Sequence, residues 1–184
     1  EVKDVIAYLR VAINPRDDLA VRRVINYPAR GIGATTVEKL AQAAHAASAT
    51  LWDALATTEV HSGARGGIAA FIAAVERVRG AIENGVDLVA TTRALIEEIG
   101  LFDDLRAAAP SMSAAQRRID NVEGLLGSLQ RFTDKGKGVD ALSEYLRHLS
   151  LDSKDDKEED TGEKVILTKL HGAKELGRAR SEEQ

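Results

Sequence analysis

The residues of this chain best suited to bind a ligand lie between Asn26 and Leu40, in the run N-Y-P-A-R-G-I-G-A-T-T-V-E-K-L. Two glycines flank one apolar residue, and a helix is predicted to begin just after them. Backbone N–H groups at a helix start lie at the positive end of the helix dipole, which suits a phosphate oxygen. The polar and basic side chains around this turn are Arg30, Thr35, Thr36 and Lys39.

The same run also fits a purely structural role, as a tight connection between two helices. Pro28 crowds the residue before it and ends the preceding helix, while Ile32 points into a core. Thr35 and Glu38 have the spacing of a capping box, which predicts that the next helix begins there. A dinucleotide-binding fingerprint is excluded, because the run reads G-x-G-x-x-T and a helix precedes it. Spacing alone leaves both interpretations open.

Other chemistry is missing from the sequence. The four histidines fall in different predicted elements without metal-site spacing, at His45, His61, His148 and His171. The pairs Glu97-Glu98 and Asp103-Asp104 are neighbours on helices, where both carboxylates normally face solvent. No nucleophile and base can be paired, and without cysteine no disulfide or thiolate site forms. We therefore predict no catalytic, cofactor-binding or metal site in this chain.

The composition favours a helical globular protein. Hydrophobic residues make up 44% of the 184 residues and aromatics only 4%, and the apolar residues are mostly Ala, Leu, Val and Ile. The net charge is −4, but residues 16–40 carry a local charge of +2 and residues 152–163 a local charge of −5. No apolar run approaches the roughly 20 residues of a membrane span. The chain begins at Glu1 rather than methionine, which suggests a fragment.

Hydrophobic spacing predicts an all-α fold followed by a different architecture. One helix is predicted from Val2 to Asn14, and a second from a cap at Asp17 or Asp18 to the break at Pro28. A third is predicted after the glycine turn, and a short fourth one contains Trp52. Residues 62–67 are predicted to be loose. Further helices follow at residues 68–84, from a cap at Asp87, at 101–109, from a capping box at Ser113 and from Val139. Arg117 and Arg118 lie early in one of these helices and are expected to have an anionic partner.

The end of the chain differs in composition. Residues 152–163 are rich in Asp, Glu and Lys and are predicted to form a disordered acidic linker. Val165 to Leu167 is predicted to be a short strand. We therefore predict a helical domain at 1–151, a flexible linker at 152–163 and a truncated further segment at 164–184.

Several runs resemble superfamily 1 DNA helicases of the UvrD, PcrA and Rep type. The first three are similar to the start of the 2B subdomain of that family, at residues 2–10, 14–18 and 24–33, and residues 118–125 are similar to a late helix of it. Residues 165–174 resemble the T-x-H-x-x-K-G-L-E motif of the 2A motor domain, through Thr168, His171 and Lys174. Here Glu175-Leu176-Gly177 replaces the expected Gly-Leu-Glu, so the motif is altered and cut off.

This resemblance implies a function for the glycine turn. In that family the 2B subdomain contacts the duplex ahead of the fork through a helix-hairpin-helix-like Gly-Ile-Gly turn, which implies Gly31, Ile32, Gly33 and Thr36 as DNA-binding residues. Arg30, Thr35 and Lys39 are added on electrostatic grounds. The resemblance also implies a bacterial, cytoplasmic, nucleoid-associated parent helicase that uses ATP and Mg²⁺. The phosphate loop and the acidic metal-binding motif are missing here, so the chain alone is expected to be inactive.

Two functions follow as hypotheses. In the first, the chain is an accessory, regulatory subdomain of an ATP-dependent 3′–5′ DNA helicase acting in replication or repair. It would grip duplex phosphates at a single/double-strand junction without reading bases, and it would contact helicase domains 1A, 1B and 2A. In the second, it is a helical protein-interaction and autoinhibitory module without direct DNA contact, docking on the helicase or on a replication or repair protein. The acidic average charge favours the second hypothesis.

Overall fold

A computed structural model describes residues 1–133 and 138–158, with side chains described up to residue 149. Over these ranges the chain is α-helical and contains no strand, which confirms the predicted all-α class. The helices are α1 (Val2–Ile13), α2 (Asp18–Val24), α3 (Ala34–Ala46), α4 (Leu51–Thr57), α5 (Ser62–Glu83), α6 (Leu88–Glu98), α7 (Leu101–Ala108), α8 (Met112–Thr133) and α9 (Gly138–Glu158). None of these helices is long and apolar enough to cross a membrane.

Residues 1–147 form one unit, and the described residues from His148 to Glu158 belong to a second one. In the first unit α1 packs on α2 and α5. The Tyr8 and Phe71 rings are 5.9 Å apart, and Trp52 meets Phe71 edge-on at 5.9 Å. Such tilted contacts are favourable for aromatic rings and tie α1, α4 and α5 together. The single tryptophan is therefore a half-buried packing residue.

The other side of this unit is built on α8, which contacts α6 and α7. Its apolar stripe at helical spacing is buried and includes Val122, Leu126 and Leu129. Arg93 of α6 donates two hydrogen bonds to Glu123 of α8, at 2.9 and 2.7 Å. In α9 the Tyr145 ring packs 5.4 Å from Phe132 at the end of α8.

Some helix starts lie where the sequence predicts them, and others do not. Asp17 and Asp87 accept hydrogen bonds from the third residue after them, as predicted for N-caps. The predicted capping box at Thr35 is wrong, because α3 already begins at Ala34 and Glu38 accepts from Gln42 instead. The box predicted at Ser113 is also misplaced, because Ser111, two residues earlier, accepts from Ala114 N–H.

Two further segments differ from the sequence-based expectation. Residues 62–67, predicted to be loose, form the first turns of α5, because the His61 side chain caps them and the helix packs against the α2–α3 connection. Helix α9 continues to Glu158, over the first part of the predicted acidic linker, where Lys, Asp and Glu alternate without a helix breaker. The rest of the linker, the Val165–Leu167 strand and the 164–184 segment lie outside the described residues, so the three-part division stays a prediction.

Candidate nucleic-acid interface

The connection between α2 and α3 is a turn built around the Asn26 side chain. Its Oδ1 accepts from the backbone N–H groups of Arg30, at 2.8 Å, and Ile32, at 3.0 Å. These two bonds curl the chain into a loop in which Ile32 is 1% exposed. Gly31 has φ +73°, a conformation that glycine adopts without the penalty other residues carry. The turn is therefore fixed at its base by one amide and anchored in the core by one isoleucine.

Arg30 lies beneath this turn and makes internal contacts. Its Nη1 donates to the carbonyl oxygens of Val24, at 3.2 Å, and Tyr27, at 3.0 Å, and its Nη2 donates to the Tyr8 hydroxyl. The guanidinium carbon is 5.6 Å from the centre of the Tyr8 ring and 6.0 Å from that of Phe71. A cation here satisfies carbonyls at the C-terminal end of α2 and stacks on two rings. Arg30 thus supports the turn from inside, although the sequence suggested a cation facing a phosphate.

Tyr8 completes the network below the turn. Its hydroxyl donates to the Tyr27 carbonyl at 2.7 Å while accepting from Arg30. Burial raises the pKa of Tyr8 to about 12, and the neighbouring Arg30 charge opposes that shift. Burial likewise raises the pKa of Tyr27 to about 12, with the carboxylate of Asp104 adding to the shift. Both phenols therefore stay protonated at neutral pH, and the buried Tyr8 hydroxyl serves as a hydrogen-bonding group of the interior.

The first turns of α5 form the surface on which the glycine turn rests. A Cβ on Gly67 would lie 2.1 Å from the Arg30 carbonyl oxygen, closer than any real Cβ contact. A Cβ on Gly31 would lie 3.2 Å from the carbonyl oxygen of Gly63. Two backbones approach each other here at a distance that only glycine permits. The glycines of α5 therefore allow the helix backbone to pack closely against the glycine turn.

Thr36 is the predicted hydroxyl that the structure turns inward. It is 5% exposed, and its Oγ1 lies 3.2 Å from Nε2 of His61, the residue before α5. Its hydroxyl therefore joins α3 to the start of α5. Neither Asn26 nor His61 was identified from the sequence: a lone asparagine before Pro28 marks a turn, and nothing at sequence level places His61 beside a residue 25 positions earlier.

The remaining predicted residues lie together on the outside, where Gly31, Gly33, Thr35 and Lys39 are exposed. Gly33 is the N-cap of α3 and has no side chain to accept from the helix, while its carbonyl accepts from Thr36 and Val37. The N–H groups of Ala34 and Thr35 precede any intrahelical acceptor and lie at the positive end of the dipole. Thr35 and Lys39 are four residues apart and so share one face of α3.

This arrangement can bind an anion through backbone groups, one hydroxyl and one ammonium. Contacts that such groups make to phosphate oxygens carry no direct sequence information. No group of three or more His, Asp or Glu side chains able to hold a metal occurs in the part of the chain that is described. Thr168, His171 and Lys174, the predicted remnant of a motor motif, lie outside that part.

A second basic position, at Arg117 and Arg118, flanks a shallow cleft formed with Pro110 and Asn121. Arg117 is exposed and Arg118 is half-buried. Asp120 lines the same cleft, so its charge is mixed. The anionic partner expected for these arginines stays a prediction.

Sequence comparison identifies the family to which this all-helical unit belongs. The model of the UvrD-like helicase C-terminal domain family matches residues 1–177, and the chain therefore belongs to that family. The ATP-dependent DNA helicase PcrA of Bacillus subtilis is 30% identical to this chain over an alignment of 185 residues. The alignment covers 96% of this chain and 24% of the relative.

Two other relatives show the same pattern of coverage. DNA helicase II of Haemophilus influenzae is 28% identical over 181 residues, and ATP-dependent DNA helicase UvrD1 of Mycobacterium tuberculosis is 29% identical over 196 residues. Each alignment covers 96% of this chain and 25% of the relative. The chain thus spans about a quarter of the length of these relatives.

Proposed function

We propose that this chain is an accessory, regulatory subdomain of a longer ATP-dependent 3′–5′ DNA helicase, corresponding to the 2B subdomain, and that it binds duplex DNA through phosphates at the glycine turn. The observation that carries this proposal is the exposed start of α3, where a glycine N-cap leaves first-turn N–H groups beside Thr35 and Lys39. The names of the relatives, which are DNA helicases, support the proposed class of the parent protein and its proposed DNA substrate.

The seven predicted residues then divide by role. Gly31, Gly33, Thr35 and Lys39 form the contact surface, since they are exposed. A separate group shapes that surface from within and consists of Arg30, Ile32 and Thr36. Contacts made by backbone N–H groups depend on the shape of the turn, so the second group acts on affinity through the first.

The parent helicase is proposed to bind ATP and Mg²⁺ and to act in bacterial DNA replication or repair, at the junction of single- and double-stranded DNA. Hydrolysis would take place in domains outside this chain, because the sequence has neither a phosphate loop nor an acidic metal-binding motif. The chain by itself should therefore bind DNA weakly and hydrolyse no ATP. Domains 1A, 1B and 2A are its proposed partners within the parent protein.

The test is fluorescence anisotropy of the purified chain with a labelled hairpin duplex and with single-stranded DNA of matched length, across a salt series. We expect duplex to be preferred and affinity to fall as salt rises, because phosphate contacts release counterions. Lys39→Gln should reduce the slope of log affinity against log salt by about 0.9 and weaken binding by up to about tenfold.

Lys3→Gln is the matched control, because Lys3 is an exposed lysine on α1. It should leave both slope and affinity unchanged. Absence of binding to either DNA at low salt would refute the proposal and favour a module that docks on protein. Equal effects of Lys39→Gln and Lys3→Gln would place the DNA contact elsewhere on the chain.

A further inference from the structure

His61 touches the candidate interface from a separate part of the chain. Its Nδ1 accepts from Ala64 N–H at 3.2 Å and so caps α5, while its Nε2 lies 3.2 Å from Oγ1 of Thr36 in the first turn of α3. A backbone N–H can only donate, so Nδ1 carries the lone pair and Nε2 carries the proton. The imidazole therefore donates to the Thr36 hydroxyl and joins the starts of two helices.

This bridge acts at the part of α3 that the proposed function uses. Thr36 N–H donates to the carbonyl of Gly33 at 3.0 Å, so Thr36 belongs to the same first turn as the free N–H groups of Ala34 and Thr35. The backbones on either side are also in close contact, since a Cβ on Gly31 would lie 3.2 Å from the carbonyl oxygen of Gly63. The imidazole is thus hydrogen-bonded to the same turn that carries these N–H groups.

We propose that His61 is a positioning residue of the DNA interface: through the Thr36 hydroxyl it holds the first turn of α3 in the orientation that presents its N–H groups to a phosphate. The inference rests on the proposed function. A histidine that only caps α5 would affect the stability of the fold and leave DNA affinity unchanged, so the two roles can be separated by measurement.

The experiment is a double-mutant cycle on duplex affinity, with the unfolding midpoint measured for every variant. His61→Asn keeps a good N-cap residue for α5 but is too short to bridge to Thr36. Thr36→Val removes the hydroxyl at nearly constant size. Each single variant should weaken duplex binding about three- to tenfold, as expected for one lost hydrogen bond, and the double variant should be no weaker than either.

Two controls make the result specific. Thr36→Ser retains the hydroxyl and should bind duplex within about twofold of the wild type. His45→Asn changes an exposed histidine in the last turn of α3, far along the helix from its start, and should have no effect on affinity. The unfolding midpoint of His61→Asn should fall by no more than the loss of one hydrogen bond explains, because the cap is preserved.

The outcomes distinguish this inference from the proposed function. If the wild-type chain binds duplex and His61→Asn binds equally well, the inference is overturned and the proposed function stands. The inference is also overturned if the effects of His61→Asn and Thr36→Val multiply in the double variant, because the two residues then act independently. If the wild-type chain binds no duplex at all, both fail together.

Discussion

Replacing Gly67 by alanine should have the opposite effect on stability from replacing its neighbour Gly66. The added methyl on Gly67 would lie 2.1 Å from the Arg30 carbonyl oxygen and 3.0 Å from the Arg30 Cβ, so that the turn must retreat by roughly 1 Å to restore ordinary contact. Overpacking of this kind costs about 1–3 kcal/mol, and the gain from alanine in a helix offsets only about 0.5–1 kcal/mol. We expect a net loss of up to about 2.5 kcal/mol in the free energy of unfolding.

Gly66→Ala is the matched control within the same turn of α5. A Cβ there meets nothing within 4 Å, so the substitution should stabilise the fold by up to about 1 kcal/mol. Both variants are measured by urea and thermal unfolding, where 1 kcal/mol corresponds to about 2–4 °C for a chain of this size. Gly67→Ala should also weaken duplex binding, because the displaced residue adjoins Gly31.

Equal stabilisation by the two alanines would refute the reasoning, because the turn could then not rest against α5 at Gly67. If Gly67→Ala destabilises the fold but leaves duplex affinity unchanged, the packing described for Gly67 against the turn is correct. This result would also mean that the shape of the turn does not control DNA binding.

Three further substitutions test the network around the turn and the α6–α8 contact. Tyr8→Phe removes the hydroxyl that bonds Tyr27 and Arg30 and should lower the free energy of unfolding by about 1–3 kcal/mol, measured by urea denaturation. Asn26→Ala leaves two N–H groups of the turn without their acceptor and should lower the free energy of unfolding by about 1–3 kcal/mol in the same assay. A decrease of less than about 0.5 kcal/mol would contradict the role assigned to Asn26. Hydrogen bonding to Arg93 lowers the pKa of Glu123, so the contribution of this pair is present above the ordinary carboxyl pKa and is lost as pH falls through the lowered value. Because both side chains are about two-fifths exposed, Glu123→Gln should cost at most about 1 kcal/mol at neutral pH and nothing in acid, as followed by unfolding at a series of pH values.

The fold class and the position of the turn follow from local sequence signals. Pro28 and the two glycines interrupt hydrophobic patterns with helical period, and these breakers act whatever packs around them. Exact helix starts depend on which neighbour supplies the cap, so Thr35 and Ser113 have suitable spacing but are not used. Local signals therefore predict the presence of each helix more accurately than the residues at which it begins and ends.

The roles of side chains at the turn depend on distant parts of the chain. The charge of Arg30 made it a reasonable candidate for a phosphate ligand. In the structure its guanidinium instead donates to the hydroxyl of Tyr8, 22 residues earlier in the chain. The loose segment predicted at residues 62–67 is helical because its glycines accept the close approach of the turn, a tertiary effect that propensity does not include. The division of the predicted DNA-binding residues into proposed contacts and proposed supports depends on exposure, which is a property of the folded chain.

The most direct test of the central claim is to map the backbone amide signals of the isotope-labelled chain by NMR while a hairpin duplex is added. We expect the largest shifts on the amides of Gly33, Ala34 and Thr35, with smaller changes along the same face of α3 toward Lys39. Shifts concentrated at Arg117 and Arg118 of α8, with the start of α3 unaffected, would contradict that claim.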